Sequence, residues 1–94
     1  MASKIEGRVV EITADGNLVT DITADQLRLA PRDDRVAIRC DEHETNGLFS
    51  IDHHEPAATL LALLNAGRLE LCIVGDSAHL MLGIRKGAPV EVEW

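Results

Sequence analysis

Val9-Val10-Glu11-Ile12-Thr13-Ala14-Asp15-Gly16-Asn17-Leu18-Val19-Thr20-Asp21-Ile22 is the stretch whose reading decides the fold. Val9, Val10 and Ile12 form a short apolar run that stops at Ala14-Asp15-Gly16-Asn17. Leu18 to Ile22 then resumes in strand-forming residues. Two such runs around a Gly-Asn turn predict a β-hairpin over 7–22. Upstream, Ile5-Glu6-Gly7-Arg8 spells a protease-linker sequence. It is read as native, because the strand pattern runs directly out of Gly7 and Arg8, and residues 1–6 are expected to form an N-terminal tail.

Downstream, Thr23 and Gln26 have capping-box spacing ahead of Leu27 and Leu29, which predicts one short helical turn closed by Pro31. Arg35 to Cys40 and Leu48 to Asp52 read as strands around Asn46-Gly47, a dipeptide suited to a type I′ turn. Pro56 to Asn65 is rich in Ala and Leu and is followed by Gly67, which predicts a helix with a glycine stop. Arg68 to Ile73 returns to strand, and Ser77 to Leu82 reads as a helical turn stopped by Gly83. Val90, Val92 and Trp94 alternate with Glu91 and Glu93, the pattern of a half-buried closing strand. The sum is a mainly β domain over 7–94, a small closed or partly closed β-barrel with one or two short helices.

The 94 residues allow one domain, with 46% hydrophobic and 27% charged residues. A chain of this size buries roughly 60–65% of its unfolded surface, enough for one modest core. Sixteen acidic against nine basic residues give a net charge of −7. That balance argues against nucleic acid, which needs a basic stripe, and against an anionic membrane surface. No apolar run reaches the roughly 20 residues of a membrane span, and no signal-peptide pattern opens the chain. Cys40 and Cys72 are too few for a disulfide framework, so a cytoplasmic protein is expected.

Several residues are candidates for chemistry. Asn17 either supports the hairpin turn or presents its amide to a ligand. With Asn46-Gly47 as the turn, Asp41 falls opposite Asp52, His43 opposite Ser50 and Arg39 opposite His54. Strand alternation then collects Asp41, His43, Asp52 and His54 on one face, a set able to bind a divalent metal. The bland alternative is a solvated polar face. Asp52-His53-His54 also spells the D-H-H of a phosphoesterase family, but the further aspartates and large scaffold that chemistry needs are missing. His79 is expected to donate to a backbone carbonyl. Cys40 and Cys72 sit in apolar strand patterns, where thiols are inert. The cluster Leu60, Leu61, Leu63, Leu64 is expected to be core.

Two stretches also resemble a known family. Asp15 to Ile22 is similar to F-G-N-L-x-T-N-I. Gly67-Arg68-Leu69-Glu70-Leu71-Cys72-Ile73, then Gly75 to Ala78 and Leu82-Gly83, is similar to G-x-L-E-[IL]-A-V followed by G-[NS]-A-A and L-G. Pro56 to Asn65 fits the Pro-plus-leucine segment before that second motif. In this order the motifs resemble the C-terminal domain of the S-adenosyl-L-methionine hydroxide adenosyltransferases, relatives of the bacterial fluorinase and chlorinase. The resemblance implies a Greek-key β-barrel of about seven strands. It implies that the catalytic residues belong to a separate N-terminal domain, so that this chain is a stand-alone, non-catalytic accessory or binding module. It implies adenine contacts at Asn17, Ser77 and Ala78.

The chain departs from the family at the aromatic positions. Asp15 replaces the F-G-N phenylalanine, the family's T-Y aromatic falls near Ile51-Asp52, and Ala66 stands where the halogenases carry Arg. With aromatic residues at 2%, only Phe49 and Trp94 offer a large ring. Weak binding of adenosine or S-adenosylmethionine is the expectation, with a homo-oligomer or a partner protein completing the site. The alternative is a divalent-metal- or nucleotide-dependent enzyme whose site forms only on oligomerisation.

Overall fold

The computed structural model describes residues 3–94. The opening hairpin is present as β1 (Lys4–Ile12) and β2 (Leu18–Thr23), with Val9 opposite Thr20 and Ile12 opposite Leu18. Register shifts between Val9 and Glu11. Such a bulge bends a strand and raises its twist. It divides β1 between two neighbours: Ile12 and Glu11 pair with β2, while Lys4 to Arg8 pair with β8 (Pro89–Glu93). The described part of the expected tail is therefore strand: Lys4, Ile5 and Glu6 stand opposite Glu93, Val92 and Glu91. Met1 and Ala2 lie outside the described residues.

β3 (Ala37–Cys40) pairs with the other edge of β8, and β4 (His43–Asn46) flanks β3. On the far side, β7 (Arg68–Ile73) pairs with β2, β6 (Leu60–Asn65) with β7, and the two-residue β5 (Phe49–Ser50) runs parallel to β6. The result is one eight-stranded sheet in the order β4-β3-β8-β1-β2-β7-β6-β5. It curls into a half-barrel whose ends approach each other, where Thr45 Oγ1 of β4 donates to Leu60 O of β6 at 2.9 Å. A mainly β, barrel-like domain was expected, and this is what forms. Its helix, α1 (Ala78–Leu82), is capped by Ser77 Oγ accepting from Leu80 N and stops at Gly83 with φ 68°.

The concave face holds the core. Val90 and Val92 of β8 are fully buried, while Glu91 reaches Lys4 and Arg39 on the outside. Leu69, Leu71 and Ile73 of β7 and Leu60, Ala62 and Leu64 of β6 also face inward. Each large apolar side chain fully buried this way contributes roughly 1.5–3 kcal/mol.

Three expected elements differ. Pro56 to Asn65 is no helix: Leu60–Asn65 is strand β6, matched residue for residue with β7. Leu61 and Leu63 point to the convex side, where Phe49 and Val74 cover them together with Cys72. A strand buried on both faces has no period-two signal to distinguish it from a buried helix. The second hairpin turns at Asp41-Glu42, with Cys40 opposite His43 and Arg39 opposite Glu44. Asn46-Gly47 instead makes a corner at which Gly47 and Leu48 are buried. Gly47, with φ 91°, donates to Val36 O, and Leu48 donates to Arg32 O. Leu48–Asp52 is strand only at Phe49–Ser50. Finally, Thr23 and Gln26 do form reciprocal capping-box hydrogen bonds, but these close a run of turns and no helix follows.

Candidate functional site

The tip of the β1–β2 hairpin rests on the start of α1. Gly16 has φ 86°, and a Cβ there would overlap Ser77 Oγ. His79 N donates to Gly16 O at 2.9 Å. The turn is held by Thr13: its carbonyl accepts from Gly16 N, its Oγ1 accepts from Asn17 N, and its own N–H donates to Asn17 O. Positive φ falls on Gly16, not on Asn17. The turn thus uses the backbone of Asn17 and leaves its side-chain amide without a hydrogen-bond partner among the described residues.

Asn17 and Ser77 line one cleft of about 520 Å³. Leu63, Cys72, Ile73 and Val74 supply its apolar lining, and Asp15 and Asp76 its carboxylates. The other wall is Ile51 and His53, from the segment 51–59 that links β5 to β6 across the convex face of the sheet. That segment is tied down by Ala58 N donating to Val74 O and Val74 N donating to Thr59 O. Ser77 Oγ already accepts from Leu80 N, which leaves its O–H to donate into the cleft. Ala78, grouped with Ser77 by sequence, is fully buried beneath it and does not line the cleft.

His53 is the residue that sequence reasoning missed. Its Nδ1 accepts from Glu55 N at 3.1 Å, so in the neutral ring the proton is on Nε2. The ring meets Phe49 edge-on, with centroids 6.4 Å apart at 73°. The sequence named it only within Asp52-His53-His54 and carried no signal for its place on this cleft. No Lys, Arg, Phe, Tyr or Trp lines the cleft. It offers an amide, a hydroxyl, an imidazole N–H and two carboxylates over an apolar floor, a set suited to the donor-bearing polar edge and flat face of a heterocycle. Burial first, and Glu70 second, push the Cys72 thiol up, so the floor of the cleft carries a protonated thiol and no thiolate.

The four residues expected to share a metal do not converge. With the turn at Asp41-Glu42, Asp41 loses Asp52 as its partner, and Arg39 faces Glu44 at 2.6 Å and not His54. Asp41 and His43 line a separate cleft of about 310 Å³, where His43 Nε2 lies 3.2 Å from Leu82 O. Asp52 and His54 fall in the 51–59 segment, and the Ser50 hydroxyl hydrogen-bonds Asp52 and lowers its carboxyl pKa. Among the described residues no three His, Cys, Asp or Glu side chains gather for a metal. His79 does what the sequence suggested, its Nδ1 lying 2.7 Å from Ile84 O. Both cysteines are buried and unpaired.

No family model matches the chain, and no curated protein matches it. Solved structures do. An uncharacterized conserved protein from Thermotoga maritima superposes with a TM-score of 0.76 at 24% identity, covering 95% of this chain and 35% of that one. A conserved hypothetical protein from Thermus thermophilus superposes with a TM-score of 0.71 at 26% identity, covering 93% and 34%. The chain thus spans about a third of the length of the solved structures it matches.

Proposed function

We propose that this domain is a binding module, not itself catalytic, whose cleft takes the adenine edge of a nucleoside such as adenosine or S-adenosylmethionine. The observation that carries this is the unpartnered amide of Asn17 beside Ser77 on one cleft, two residues 60 apart in sequence that the Gly16–Ser77 contact brings together. Both belong to the motifs that resemble the C-terminal domain of the S-adenosyl-L-methionine hydroxide adenosyltransferases. A second copy or a partner protein supplies the rest of the binding surface, since the cleft itself holds no large aromatic ring. The two buried, unpaired thiols suit a cytoplasmic protein.

Affinity is weak on physical grounds. Two or three hydrogen bonds exchanged with water contribute about 0.5–1.5 kcal/mol each. No large aromatic ring in the cleft adds stacking energy. Set against the cost of immobilising a ligand, that sum gives a dissociation constant no tighter than the order of a millimolar, roughly −4 kcal/mol. Titration of ¹⁵N-labelled protein with adenosine should shift the amides of 15–17 and 75–79. Asn17→Ala should weaken binding by about threefold to tenfold, the loss of one such bond. Shifts confined to other parts of the sheet, or unchanged binding by Asn17→Ala, would refute the assignment.

A further inference from the structure

The hydrogen bonds of the histidines run in opposite senses. His43 Nε2 lies 3.2 Å from Leu82 O, and His79 Nδ1 lies 2.7 Å from Ile84 O. A carbonyl only accepts, so both rings donate, and an imidazole does so whether neutral or protonated. Acid leaves both bonds in place. His54 is exposed. His53 is the exception. Its Nδ1 faces the N–H of Glu55 at 3.1 Å, and only an unprotonated nitrogen accepts that bond.

This bond sits where the segment 51–59 has least else to hold it. On one side His53 N donates to Ser50 O, and on the other Ala58 N donates to Val74 O. Between those anchors, among the described residues, Glu55 N is the one backbone group of 54–57 with a hydrogen-bond partner. The far anchor is itself strained, since Ala58 has a φ of 69°. The groups facing the His53 ring are Asp15 and Asp76 across the cleft, Cys72 on its floor and Phe49 edge-on, with Asp52, His54 and Glu55 beside it in the chain. None of the carboxylates lies within ion-pair distance of the ring among the described residues. They favour its protonation without offering the charged ring a bond in exchange.

We propose that His53 is a pH-sensitive latch on the wall of the cleft: the neutral ring ties down residues 53–55, and its protonation releases them. Protonation turns Nδ1 into a donor aimed at the Glu55 N–H, so the bond is lost and two donors oppose each other. The latch is complete where the imidazole is neutral. It is lost as pH falls through the range in which histidine ordinarily takes up its proton, about pH 6.5. Release frees 51–59 to leave the convex face and takes His53 away from Asn17 and Ser77. The latch stands on the Glu55 bond alone, whereas its effect on adenosine rests on the function proposed above.

Nuclear magnetic resonance of the ¹⁵N-labelled chain tests it. At pH 8 the imidazole nitrogens of His53 should show the proton on Nε2 and a bare Nδ1. Between pH 8 and about pH 5.5, one unit below the ordinary histidine range, protection of the Glu55 amide should fall about tenfold, each value referred to the intrinsic exchange rate at that pH. Amides of β1 and β2 should stay protected throughout. His53→Asn places a side-chain oxygen where Nδ1 stands, and an Asn at that position accepts from the N–H two residues on in an Asx turn. This acceptor does not titrate, so Glu55 should stay protected at both pH values. His53→Phe should leave Glu55 unprotected at both. A proton on Nδ1 at pH 8, or Glu55 protection that does not change with pH, overturns the latch. So does a fall that persists in His53→Asn, since other groups would then cause it. Adenosine should bind the native chain more weakly at pH 5.5 than at pH 8, and His53→Asn equally at both. Absence of adenosine binding at pH 8 would refute the nucleoside reading, while the Glu55 amide still decides the latch.

Discussion

The two faces of the β6–β7 pair are covered by very different amounts of protein. On the concave side Leu69, Leu71 and Ile73 meet side chains from β1, β2, β3 and β8 in one continuous core. On the convex side Leu61, Leu63 and Cys72 are sheltered by Phe49, Val74 and the single segment 51–59. The same two strands therefore build a thick layer and a thin one. The candidate cleft opens over the thin one, with Leu63 and Cys72 in its lining and 51–59 as one wall. Binding sites tend to sit where local opening costs least, and few apolar contacts hold this cover in place.

Leu69→Ala tests the thick layer. Leu69 is fully buried, and its truncation leaves a cavity that the surrounding strands cannot close, so chemical denaturation should show a loss of about 2–5 kcal/mol. A loss below about 1 kcal/mol would mean that the concave core is not the main source of stability.

Gly16→Ala should come next. Alanine is strained at a φ of 86°, and its methyl meets Ser77 Oγ, together about 1–3 kcal/mol. The same change displaces the hairpin tip from α1, so adenosine shifts at 75–79 should disappear along with the stability. Phe49→Ala strips the thin layer alone. Phe49 is half-buried, which limits the loss to about 1–2 kcal/mol, and hydrogen exchange should accelerate over 51–59 while β1 and β2 stay protected.

The smallest effect comes from the thiols, one on each face. Cys40 packs in the concave core, where burial first and Asp41 second push its pKa up from 9.0 to about 11. The unfolded thiol ionises before the folded one. Its contribution is thus complete below about pH 9 and lost as pH rises through about 11. Urea midpoints should fall across that window, and Cys40→Ala should remove part of the fall. At pH 8 a small alkylating reagent should modify Cys72, under the thin cover, faster than Cys40. The reverse order would contradict the difference between the two layers.

Local patterns were legible wherever one short-range rule had no competitor. The Asp15-Gly16-Asn17 tip between β-forming runs, the Val90-Val92 alternation, and the Ser77 and Gly83 stops of α1 all form as read. Asn46-Gly47 was misread because positive φ at a glycine serves a corner as well as a hairpin. Here the carbonyls of Val36 and Arg32 decide which. The metal set of Asp41, His43, Asp52 and His54 depended on that hairpin register, and it dispersed when the turn moved to Asp41-Glu42. Leu60 to Leu64 was ambiguous for a different reason. Buried on both faces, it carried neither period, and only a partner strand on each side made it β6.

By itself, then, the sequence determined the chemistry available: an acidic domain, mainly β, with Asn17 at a hairpin tip, Ser77 ahead of a short helix and few aromatic rings. Tertiary structure decided which of those groups meet. Asn17 and Ser77 share a cleft because a glycine at position 16 lets two backbones approach closer than any side chain would allow. His53 joins them because β5 adds parallel to β6 and throws the following segment across the convex face. Neither event leaves a local trace, since both depend on contacts between residues far apart in the chain.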